Sequence, residues 1–197
     1  MGNTRVKAFL MGGICFTVAQ PLLRMPILNL LQNSTKIVLY SNIYPILVGV
    51  LIALSAGIFE EGFRFIFKRT LFKKDNMDIW IPILFGLGHG LTEAIMILFP
   101  VFQILPASGW LLPSIERLLA VVIHIGLTVI IWNGFLLNKR IKYLFIGVFV
   151  HGAINSLIPI LSLFTKSVLL LESIFLVIAL LMVIYVYRSR KIYNMEA

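Results

Sequence analysis

From Ile37 to Phe59 the chain carries no charged side chain. At about 1.5 Å of helical rise per residue, a run of that length crosses the roughly 30 Å hydrocarbon layer of a bilayer. In lipid the backbone polar groups can be satisfied only inside helices or a closed barrel. The apolar runs here are long and continuous, unlike the short alternating segments of a barrel, so helices are expected. Six spans can be read, at about 8–31, 37–66, 79–99, 114–137, 142–163 and 168–187. Composition points the same way: 60% of the 197 residues are hydrophobic and 13% charged, where a soluble domain has about half and a quarter. The expected fold is all-α: a polytopic transmembrane helical bundle, with residues 1–197 as one domain. Cys15 is the single cysteine, which excludes an internal disulfide framework and a cysteine-based zinc site. Arg5 and Lys7 precede the first apolar run as in a signal peptide, but no small-x-small cleavage site follows. That run is read as a retained helix.

The net charge of +9 would suggest a nucleic-acid partner if the basic residues formed a patch. They do not. Arg5 and Lys7 precede span 1; Lys68, Arg69, Lys73 and Lys74 lie between spans 2 and 3; Lys139, Arg140 and Lys142 between spans 4 and 5; Arg188, Arg190 and Lys191 follow span 6. Only Lys36 and Lys166 fall on the opposite side. This asymmetry places both termini and the basic loop 68–78 on the cytoplasmic side, against anionic lipid. No nucleic-acid partner is expected; membrane lipids are.

The polar residues that remain lie inside spans. They are Glu60, Glu61 and Arg64 in FEEGFRFIFKR, His89 and Glu93 in GHGLTEA, His124 in HIGLT, and His151 and Asn155 in HGAINS. A charged group in a span costs about 2.5–3.5 kcal/mol on insertion scales for Asp, Lys and Arg, so such residues face the bundle interior and mark function. Residues four apart share a helix face. Glu60 with Arg64, His89 with Glu93, His124 with Thr128 and His151 with Asn155 each make such a pair, on four different spans. Counted inward along the rise, all reach one layer between the cytoplasmic half and the middle of the bilayer. Gly88, Gly90 and Gly152 beside the histidines allow the close helix approach that joins these faces.

Two chemistries suit that layer. Histidines and a carboxylate can hold zinc, with His89, His124, His151 and Glu60 as the expected ligands, and a zinc-bound water supplies hydroxide for amide attack. Alternatively, a buried glutamate alone serves as general base on water, with Asn155 and a histidine holding the oxyanion. H-E-x-x-H is absent, no serine sits in a nucleophile motif, and Asp75 and Asp78 both lie in the cytoplasmic loop.

EEGFR, FGLGHG with Phe85 and His89 as F-x-x-x-H, and HGAIN resemble the three motifs of the CAAX-protease and bacteriocin-processing membrane proteases. GLGHGLTE, ERLLAVVIH and GGICFTVAQPLLRMP further resemble the YhfC branch of intramembrane metalloproteases. The resemblance spans about residues 8–165. It implies an intramembrane peptidase of the bacterial cytoplasmic membrane, acting on a membrane-bound protein or peptide, with a cavity open towards the cytoplasmic side. Glu60 would activate water, with Glu61 beside it. His89 and His151 would ligate metal or polarise substrate, His124 and Glu93 would complete the site, and Asn155 would support the oxyanion. The arginine comes at E-E-x-x-R, one residue earlier than in the eukaryotic enzymes, and many relatives carry further helices.

Other expectations attach to the margins. Gln20 and Arg24 in QPLLRMP are four apart on a helix that the prolines should break, with Arg24 snorkelling or meeting a glutamate. Glu116 and Arg117 are either an interfacial pair or site members, and Glu172 is interfacial. The stretch 99–113 is an uncharged outer loop lying in the interface or folding back as a cap. Two other functions remain open to the sequence: a non-catalytic scaffold or partner subunit that keeps the protease fold, and an ion- or proton-coupled carrier.

Overall fold

The computed structural model describes residues 2–72 and 78–194. Lys73, Lys74 and Asp75 of the expected basic loop lie outside them. All regular structure among the described residues is helical. The first rod runs as α1 (Gly2–Thr17), a π-helical segment (Val18–Arg24) and α2 (Met25–Gln32). It is followed by α3 (Thr35–Ile43), α4 (Pro45–Leu71), α5 (Trp80–Ile104), α6 (Leu111–Leu136), α7 (Arg140–Leu161) and α8 (Val168–Asn194). Among the described residues, six helical stretches are long and apolar enough to cross a membrane: Asn3–Gln32, Pro45–Leu71, Trp80–Ile104, Ala107–Leu136, Arg140–Leu161 and Val168–Asn194.

The boundaries differ from the sequence reading for local reasons. The second crossing starts at Pro45, not near residue 37, because Tyr44 takes φ −127° and ψ 58°. The residue before a proline is pushed out of the α region, while proline itself suits the first helical turn. Residues 35–43 therefore form their own short, largely exposed helix. The prolines of the first rod do not break it. Pro21 lacks an N–H, and the chain continues through a wider turn in which Met25 N–H bonds Gln20 O, five residues back. In the stretch 99–113, expected as a loop, α5 continues through Pro100 to Ile104 and a short 3₁₀ turn (Ala107–Gly109) leads into α6.

Helix α6 is the most buried, packing against α4, α5, α7 and α8, while α1 packs on α5 and α4 on α7. Glycine sets the closest of these approaches. A Cβ at Gly88 would run into the Phe9 carbonyl, and one at Gly12 into the Phe85 carbonyl, so α1 and α5 touch backbone to backbone. Gly57 stands in the same relation to Val148 O, at 2.6 Å from an added Cβ, on the α4–α7 seam. Below the polar layer, Phe85 and Trp132 pack at 5.0 Å between ring centroids, with Phe72 and Phe135 beside them. Leu127, Ile130, Phe175 and Met182 fill the α6–α8 side. The outer faces stay apolar and uncovered: Leu47, Leu51 and Ile58 on α4, and Val177, Leu180, Leu181 and Val183 on α8, are each more than half exposed. Such surfaces suit lipid, and the chain is an integral membrane protein.

Candidate active site

Helix α4 contributes two adjacent carboxylates that point to different neighbours. Glu60 faces the first rod and α5. Its Oε1 accepts from Gln20 Nε2 at 2.5 Å, and its Oε2 lies 2.8 Å from His89 Nε2. Glu61, a third of a turn further on, faces α7, where its Oε1 lies 2.8 Å from His151 Nδ1. Arg64 is one turn along and serves both. Its Nη1 donates to Glu61, its Nη2 lies 3.5 Å from Glu60 Oε2, and the same Nη2 donates to His124 Nδ1 at 2.7 Å. Glu60, Glu61 and Arg64 are all essentially without solvent exposure. Stripping three ions of water costs several kcal/mol each, so their mutual contacts are what keeps the group in place.

The other helices close around this triplet. His89 is fully buried, with Phe16 edge-on at 5.2 Å. The rings of His89 and His124 lie 5.0 Å apart, and those of His124 and His151 lie 5.5 Å apart. Glu93, one turn above His89, pairs with His124 Nε2 and with Arg117 Nη1 at 3.2 Å. Arg117 also reaches Glu116, so this pair is tied into the polar layer through Glu93. The seven ionisable residues expected at the site thus meet in one connected network. Asn155 borders the cavity beside it.

Guanidinium nitrogens only donate, so His124 Nδ1 must accept from Arg64 through its lone pair. The ring proton then sits on Nε2, facing Glu93. That assigns His124 one tautomer and leaves it no free lone pair while Arg64 holds the first.

Could this group hold a metal? One ligand atom each from Glu60, His89, Glu93 and His124 lies within 4.8 Å of the other three. Imidazole nitrogens with carboxylate oxygens are zinc donors, and His89 Nδ1 is buried without a hydrogen-bond partner among the described residues. The donor set fits. Of the four residues expected as ligands, Glu60, His89 and His124 fall in this group. His151 lies beside it, with Nδ1 on Glu61 and Nε2 3.9 Å from Glu60 Oε1. Glu93 makes up the set.

A cavity of about 360 Å³ opens beside Glu60. Its walls include Phe16, Gln20, Arg24, Glu93, Met96 and Asn155. A smaller hollow of about 50 Å³ lies between Glu93, His124, His151 and Asn155. Asn155 therefore borders both. Gln20, singled out in the sequence only for its spacing from Arg24, is a direct partner of Glu60. A glutamine inside an apolar run, next to a proline, was the available signal.

A family model described as YhfC intramembrane metalloprotease matches residues 2–105 and 98–185 of the chain. A protein of Bacillus subtilis (strain 168) named "uncharacterized membrane protein YhfC" is 24% identical, over 96% of this chain and 86% of its own length. No solved structure matches.

Proposed function

The chain belongs to the YhfC intramembrane metalloprotease family, and from that premise we propose that it is an intramembrane peptidase in which Glu60 activates a water against a peptide bond. The observation that carries this reading is the largely buried Glu60–His89–Glu93–His124 group, two members of which, Glu60 and Glu93, line a cavity. Peptide hydrolysis needs a base near a water, a place for the oxyanion and exclusion of bulk solvent. Glu60 has the position of the base, because its carboxylate lines the cavity. It takes a proton from water as the oxygen bonds to the carbonyl carbon. The C–N bond then breaks, and the proton passes to the leaving amine. Asn155, on the same wall, offers its amide N–H to the developing oxyanion. Gln20 and Arg64 hold the Glu60 carboxylate in place from either side. Glu61 fixes the ring of His151, and through Arg64 it sets the partner of His124.

His89, His124 and Glu93 would hold a zinc ion as a two-histidine, one-glutamate set, which leaves Glu60 as base. When bound, the metal supplies a water whose pKa falls to about 7 and a Lewis acid for the carbonyl. For His124 to join such a set, Arg64 must release Nδ1 or the ring must turn, since neutral imidazole has a single lone pair.

The motifs shared with the CAAX and bacteriocin-processing proteases support a place in that wider group. The distribution of Lys and Arg supports the bacterial cytoplasmic membrane, with both termini cytoplasmic. A membrane-bound protein or peptide is the matching substrate class. The test is cleavage by the purified protein in liposomes, offered a library of single-span peptides and read by mass spectrometry. Wild type should release new fragments, and His89→Ala and Glu93→Gln should not. Equal fragment release by both variants would refute the assignment.

A further inference from the structure

Arg24 ends the π-helical segment of the first rod and is 8% exposed. It neither snorkels to the interface nor touches a glutamate. Its Nε donates to Ser55 Oγ at 2.9 Å, its Nη1 to Gln20 Oε1 at 2.9 Å and its Nη2 to the Ile52 carbonyl at 2.7 Å. These are all neutral acceptors. Arg64 and Arg117, the other arginines of the bundle interior, each touch two carboxylates. Among the described residues, Arg24 has none within ion-pair distance. A guanidinium carries five N–H groups, so one remains on each Nη atom.

That cation lines the same cavity as Glu60. Gln20 joins the two, accepting from Arg24 and donating to Glu60. Hydrogen bonds of 2.9 Å and 2.5 Å on either side of one amide put the guanidinium roughly 7 Å from the carboxylate, the reach of about two extended residues. Glu93 and Asn155 are the other polar members of the wall, and the remainder is apolar, with Phe16, Pro21, Met25, Met96 and Ile97. A buried cation on a cavity wall, with donors left over and no carboxylate within ion-pair distance, is costly unless a ligand completes it. The π-helical turn supplies the reason it is there. Pro21 and the wide turn rotate both Gln20 and Arg24 onto the cavity wall, and such turns recur at functional sites.

We propose that Arg24 is a specificity determinant that binds a carboxylate of an apolar peptide substrate, about two residues from the bond at Glu60. Planar carboxylate matches the guanidinium fork, and the apolar walls suit aliphatic side chains around it. The carboxylate comes either from the peptide's C-terminus or from an acidic side chain.

This rests on the peptidase reading, but binding can be read without catalysis. The test titrates the full-length protein in detergent with two probe pairs by calorimetry. One pair is acetyl-Leu-Leu-Leu as free acid and as amide. The other is acetyl-Leu-Asp-Leu amide and acetyl-Leu-Asn-Leu amide. The acid member of at least one pair should bind about tenfold or more tightly, the scale of a charge-assisted pair. Preference in the first pair identifies a C-terminus, and in the second an acidic side chain. Arg24→Gln should abolish the preference and Arg24→Lys should restore part of it, with melting temperature reporting that each variant is folded. No preference in either pair with wild-type protein overturns the proposal and needs no variant. So does an Arg24→Gln protein that keeps the preference. Wild type that prefers an acid but cleaves no peptide would remove the peptidase and leave this carboxylate site. Wild type that cleaves without preferring either acid would remove the site alone.

Discussion

Arg64 Nη2 donates to His124 Nδ1 at 2.7 Å, across from α4 to α6. The contact joins the carboxylate pair on one helix to the second imidazole of the metal-compatible group on another. Because arginine cannot accept, it fixes the His124 tautomer, and it competes with any metal for that ring. Arg64 thus acts as the internal cation of the site.

Removing that cation leaves Glu60 and Glu61 buried without their charge partner. Arg64→Met should cost about 3–5 kcal/mol, the range for breaking a buried ion pair, and should lower the melting temperature in detergent sharply. The double variant Arg64→Met/Glu61→Gln should recover much of the loss, because it removes one of the stranded charges. Equal melting of the single and double variants would separate Glu61 from Arg64.

Metal content divides the histidines. Elemental analysis of protein purified from zinc-containing medium should show zinc in wild type and in His151→Ala. It should show little in His89→Ala or His124→Ala. His151 is held by Glu61 and lies beside the four-residue group, so its loss removes no ligand. Zinc lost with His151 but kept without His89 would reverse the ligand assignment.

Glu61 touches His151 and Arg64 but does not line the cavity, so in the proposed peptidase it is a positioning residue. Glu61→Gln should reduce peptide cleavage by about 10–100-fold, as with other groups that orient ligands and catalytic rings. The loss should fall on kcat more than on KM, because the cavity wall is unchanged. A shift confined to KM would place Glu61 at the substrate.

Gly88→Ala tests the α1–α5 seam. The added methyl meets the Phe9 carbonyl, and α1 must move away from α5. Overpacking of this kind costs about 1–3 kcal/mol. It should also disturb Gln20 and Phe16, which the first rod presents to Glu60 and His89. Thermal unfolding and peptide cleavage should both decline.

The spans and the polar layer were legible because each depends on spacing along one helix. Glu60 with Arg64 and His89 with Glu93 follow from the four-residue repeat, and lipid forbids those groups from facing outward. What the repeat lacks is the identity of the neighbour across a seam. Glu60 takes Gln20 from the first rod, Glu93 takes Arg117 from α6, and His151 takes Glu61 and not the metal-compatible group. Each choice depends on the rotation of a helix about its axis, which glycine contacts such as Gly88 on Phe9 settle. From the sequence, Pro21 reads as a helix break. A missing N–H can also be absorbed by widening one turn, and here the turn widens, which puts Arg24 on the cavity wall, where, against expectation, it neither snorkels nor meets a glutamate.

The central claim is that Glu60 activates water for peptide hydrolysis. It is tested most directly in liposomes prepared in ¹⁸O-labelled water, with single-span peptides as substrate and mass spectrometry of the fragments. Wild type should yield new C-termini carrying the label, and Glu60→Gln, nearly identical in shape, should yield none while keeping its melting temperature. Labelled C-termini released by Glu60→Gln at the wild-type rate would contradict the account.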